Sequence, residues 1–62
     1  METKVYYVTT GMGCCIRHGT SEESVRRKVL REVGEYNGVQ EVREAEPKDI
    51  AWVKAMGGEV ES

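Results

Sequence analysis

Val5, Tyr6, Tyr7 and Val8 form an unbroken apolar run, and all four are β-branched or aromatic. Such residues favour an extended strand, whose side chains alternate between two faces. Whichever pair turns inward, the other pair leaves the opposite face apolar. A strand of this kind requires a sheet with one well-covered face and a second face that is not wholly polar. The chain has only 62 residues. That is material for one small layered domain with a modest core.

The flanking residues extend this pattern. Lys4–Thr9 reads as the first strand. Thr10-Gly11-Met12-Gly13 supplies a tight turn, and Cys14-Cys15-Ile16-Arg17-His18 a short second strand, so the two form an antiparallel hairpin. Gly19-Thr20-Ser21-Glu22-Glu23 opens a helix, with Thr20 expected as N-cap and Glu23 completing a capping box. Val25, Val29, Leu30, Val33 and Tyr36 then recur at helical spacing as one apolar stripe. Gly34 or Asn37-Gly38 ends this helix. Val39–Glu44 reads as a third strand with one wet face. Glu46-Pro47-Lys48-Asp49 opens a second helix with Pro47 at its first position. Ile50, Val53 and Met56 face inward, and Gly57-Gly58 stops it.

The order ββαβα predicts an α+β fold. Its simplest form is a three-stranded antiparallel sheet in the order 2-1-3, with two helices on one face. The domain is expected to span residues 1–58, leaving 59–62 as a polar C-terminal tail. No apolar run approaches the ~20 residues of a membrane-spanning helix. Met1-Glu2-Thr3-Lys4 lacks the apolar stretch of a signal peptide, so a cytoplasmic location is expected.

Cys14, Cys15 and His18 are candidate metal ligands by residue type. In a strand, Cys14 and His18 share a face but stand ~13 Å apart at ~3.3 Å per residue, while Cys15 points the other way. One ion with bonds of ~2.0–2.3 Å cannot gather them within a single copy. No metal or cofactor is therefore expected, and a thiol-based metal or redox site at Cys14 and Cys15 requires a dimer. No base stands within reach of either thiol, so no catalytic role is expected. Arg26, Arg27, Lys28 and Arg31 are candidate phosphate contacts. Glu22, Glu23, Glu32 and Glu35 balance them on the same helix, and the whole chain carries a net charge of −2. Weak nucleic-acid binding through that face is accordingly a secondary reading.

The doubly apolar first strand points instead to association. With Val5 and Tyr7 facing the helices, Tyr6 and Val8 lie on the open face beside Cys15. The reverse register exposes Val5 and Tyr7. Trp52 falls off the Ile50/Val53 stripe and is a further candidate anchor. Tyr6, Val8, Cys15 and Trp52 are thus the expected interface of a small non-enzymatic module with a protein partner or a second copy.

Three stretches carry a resemblance: Gly19-Thr-Ser-Glu-Glu-Ser-Val25, Asn37-Gly-Val-Gln-Glu-Val-Arg-Glu-Ala45 and Asp49-Ile-Ala-Trp-Val-Lys-Ala-Met-Gly-Gly58. With the residues between them, they make the chain resemble short uncharacterised proteins of bacteria and their prophages. The resemblance covers most of the chain and transfers no site residue. It implies a role in a mobile element, such as binding and modulating a host protein. Gly11-Met12-Gly13-Cys14-Cys15 also resembles the Gly-Met-x-Cys-x-x-Cys loop of heavy-metal-associated domains over those residues. The second cysteine is misplaced, and a strand follows where that family has a helix.

Overall fold

The β-branched and aromatic first segment forms β1 (Lys4–Thr10), and a turn at Gly11-Met12 returns the chain as β2 (Gly13–Gly19). The Thr10 hydroxyl locks this turn, donating to the Gly13 carbonyl and accepting from the Met12 N–H, both at 3.0 Å. The chain continues as α1 (Glu22–Asn37), β3 (Val39–Glu44), α2 (Pro47–Ala55) and β4 (Glu59–Val60). This computed structural model describes residues 2–61. Met1 of the expected domain and Ser62 of the expected tail lie outside the described residues.

The fold is α+β, with two helices and a four-stranded mixed sheet in the order β3-β1-β2-β4. β1 pairs antiparallel with both β2 and β3, as expected, but β4 joins β2 in parallel. The purely antiparallel three-stranded sheet is therefore corrected. The residues expected as a polar tail supply the fourth strand, because Glu59-Val60-Glu61 alternates charged and apolar groups at the period of a strand.

The helices also lie on opposite faces rather than together. Tyr6, Val8 and Val42 point to the face under α1, where they pack with Val25 and Val29. Tyr7, Ile16 and Arg43 share the other face, where Arg43 binds Asp49 of α2. The cause is topological. β2, β3 and β4 run parallel, so β2-α1-β3 and β3-α2-β4 are both crossovers. They travel across the sheet in opposite directions. One shared hand, which such units strongly prefer, then places their helices on opposite faces.

Local chemistry sets the helix ends. Ser21, not Thr20, caps α1, its hydroxyl accepting the Ser24 N–H at 3.1 Å. Glu23 instead takes Arg27, one turn on, at 2.8 Å. Gly34 adopts φ 81° inside α1, in the left-handed region that favours glycine. That break turns Tyr36 out of the apolar stripe, and it is 99% exposed rather than part of the core. In α2, Pro47 occupies the first turn, and the Glu46 N–H donates to Asp49 Oδ2 at 2.8 Å. Met56, expected inward, is exposed past the end of α2.

Candidate functional site

Tyr6 and Val8 are only 4% and 0% exposed, in the core under α1. Their expected place on an open face is thus corrected, and Val5 and Tyr7 take the half-exposed positions on the far side of β1. The reason is the packing of α1. Val25 and Val29 press on the face to which Tyr6, Val8 and Val42 point. Cys15 shares that face and lies half-buried against the same core, so it does not line an open surface either. Burial pushes its thiol up from the ordinary value, Arg17 opposes this, and Glu32 and Glu59 add to it. A thiol held protonated in this way is a poor nucleophile.

Cys14 points to the α2 side, beside Tyr7, whose hydroxyl is pushed up by burial first and by the neighbouring Cys14 second. His18 lies on Cys14's face, four residues along β2. Its backbone N–H donates to Glu61 Oε1 at 2.9 Å. The two cysteines therefore project to opposite faces, as strand alternation predicts. Among the described residues, no three His, Cys, Asp or Glu side chains converge.

Three of the four basic candidates on α1 come together. Arg27, Lys28 and Arg31 line one groove along the outer side of the helix with Ser24 and Glu32. Arg26 lies about 140° around the helix from Arg31, on another flank. Arg27 is tied to Glu23 and Lys28 to Glu61, each at 2.8 Å.

The least finished surface lies on the α2 side of the sheet. α2 packs on β2 and β4, which leaves the outward halves of β1 and β3 on that side lightly covered. Tyr7 lies there, with the Arg43 guanidinium 4.6 Å from its ring centroid, a cation–π distance. Arg43 is fixed in turn by a two-pronged bond to Asp49, at 2.7 and 2.8 Å. That fork, with the Glu46 N–H, holds the Asp49 carboxyl down at about 2. Trp52 and Met56 are 55% and 62% exposed. By helical angle Trp52 stands about 60° from Asp49, and Met56 follows as the C-cap of α2. Trp52, placed off the α2 stripe by its spacing, is accordingly exposed.

Three features escaped the sequence reading. Arg17 is buried between α1 and β4, bonded to Glu32 and Glu59. Arg43 and Asp49 form the clamp just described. Glu59 and Glu61 dock β4, for which the charged–apolar–charged spacing around Val60 was the one visible signal. Among the described residues, no helix is long and apolar enough to cross a membrane. Compared with protein-family models, curated proteins and solved structures, the chain has no significant match.

Proposed function

We propose that the chain is a small non-enzymatic association module, offering the lightly covered side of β1 and β3 to another polypeptide. The observation that carries this reading is the exposure of Trp52 and Met56 at α2, together with strands β1 and β3 that α2 leaves lightly covered. A large aromatic beside a rigid sheet face loses little entropy on binding and buries much apolar area. The Arg43–Asp49 clamp holds the rim of this surface in a set conformation, which lowers the cost of association.

Site-specific crosslinking in cells tests the reading. A photoreactive residue at Trp52 is expected to capture a defined protein, while one at Arg31, in the groove of α1, captures none. Loss of the Trp52 product in a Met56→Ser background supports a contiguous surface. Crosslinks confined to position 31 and ending on nucleic acid would overturn this reading in favour of the basic face.

A further inference from the structure

β3 is an edge strand of the sheet, with β1 on one side and no strand on the other among the described residues. The Ala45 N–H donates to the Val5 carbonyl at 2.8 Å. By strand alternation, the backbone groups of Arg43 also point to β1, and those of Val42 and Glu44 point outward. An open edge of this kind is a template for another strand.

We infer that the strand it takes belongs to a second copy of the chain, joined antiparallel through β3 about a two-fold axis at Val42. This rests on the association reading above and names the partner.

The register follows from charge. Glu41 and Arg43 point to the α2 side, flanking Val42, which points to the α1 side. A two-fold axis at Val42 sets each Glu41 opposite the other copy's Arg43, twice, and Val42 opposite Val42. An axis at Glu41 sets two glutamates face to face, an axis at Arg43 two arginines, and an axis at Glu44 two more glutamates. Opposite charges directly across a pair stabilise it, and like charges oppose it. Charge on an edge strand ordinarily deters indiscriminate pairing. Here it also selects one self-complementary register. Arg43 has the capacity to accept this contact. Its two terminal nitrogens hold Asp49, while its Nε stands 3.8 Å from Glu41 of its own strand, too far for a strong hydrogen bond.

The surroundings agree. The α1 flank carrying Lys28 and Glu32 faces β4 and β2, through Glu61 and Arg17. The opposite flank, with half-exposed Leu30, therefore lies toward β3, and the two-fold brings two such leucines together over the joined strands. On the other face, the uncovered β1 and β3 of both copies merge into one floor. Each α2 stays on β2 and β4 with Trp52 and Met56 exposed, so the dimer leaves that surface free for a further partner.

Sedimentation over micromolar to millimolar concentration tests this directly. The chain should approach twice its 7.0 kDa mass. Glu41→Arg replaces two attractive cross-strand pairs with two repulsive ones and should weaken the dimer at least about tenfold. The Glu41 side chain is 59% exposed, so the variant is expected to keep the wild-type circular dichroism. Amide exchange supplies the fingerprint: the Val42 and Glu44 amides should slow as concentration rises, while the Arg43 amide stays protected throughout. A dimer unaffected by Glu41→Arg, or one whose Val42 amide exchanges equally fast at all concentrations, overturns the β3 pairing. A dimer abolished by Trp52→Ser overturns it as well, while leaving the association surface standing. A strict monomer at millimolar concentration overturns it too, and the crosslinking result then judges the association surface separately.

Discussion

Arg17 gives the sharpest test of how this fold is held together. Its side chain is 7% exposed, yet its carboxylate partners Glu32 and Glu59 are 42% and 76% exposed. Its Nη1 also donates to the Ile16 carbonyl at 2.9 Å, but that carbonyl already accepts the Glu61 N–H at 3.0 Å. Removing Arg17 therefore leaves no acceptor without a partner, because the glutamates turn to water. The contribution of the ion pairs is correspondingly small, as for half-exposed pairs generally. What is lost is packing. Arg17→Ala deletes two buried methylenes, about 1.6 kcal/mol at about 0.8 each, and leaves the space of the guanidinium unfilled. The total is roughly 2–3 kcal/mol. Arg17→Met keeps the apolar stem and should cost about 1 kcal/mol or less. At about 4–8 °C per kcal/mol for a chain of this size, alanine lowers Tm by ~10–20 °C and methionine by less than ~8 °C. Against a net stability of about 3–5 kcal/mol, the alanine variant keeps only about 0–3 kcal/mol at 25 °C. Urea and thermal unfolding followed by far-ultraviolet circular dichroism measure both. If methionine proves as damaging as alanine, the guanidinium charge rather than its stem supports the fold, and this reasoning is wrong.

Acid should weaken the protein through two carboxylates held below their ordinary values, Asp49 by Arg43 and the Glu46 N–H, and Glu61 by Lys28 and the His18 N–H. Their contribution is complete above the ordinary carboxylate range and is lost as pH falls; for Asp49 the loss runs from its ordinary 3.8 down to about 2. Melting curves at pH 7, 4 and 2.5 should show Asp49→Asn flattening that decline, and an unchanged slope would dismiss the clamp. Gly58→Ala places a methyl 2.6 Å from the Cys14 carbonyl and 2.7 Å from Val53 Cγ1, so it should cost about 1–3 kcal/mol by urea titration. Ser21→Ala should cost about 1 kcal/mol by the same titration, while Thr20→Ala should be near neutral; the reverse order would return the cap to Thr20.

Local patterns settled most of the elements. The β-branched and aromatic run at Val5–Val8, the glycine-flanked turn, the Val25/Val29 stripe and Pro47 each act within a few residues, so β1, β2, α1, β3 and α2 were legible before any tertiary contact was known. The pairing of β1 with both β2 and β3 followed from the same pattern. The face each strand presents did not. Val5 and Tyr7 are as apolar as Tyr6 and Val8, and strand alternation offers both registers at equal local cost. Packing against α1 decided between them, and crossover handedness then carried α2 to the other side. β4 was hidden for a related reason. A two-residue strand has little signal of its own, and its place comes from Arg17, Lys28 and the backbone of β2, distant in sequence. The doubly apolar first strand thus announced that both faces of the sheet would matter. Only the tertiary structure determined that Tyr6 and Val8 would enter the core while Val5 and Tyr7 stay half-covered, because that choice depends on which helix reaches which side.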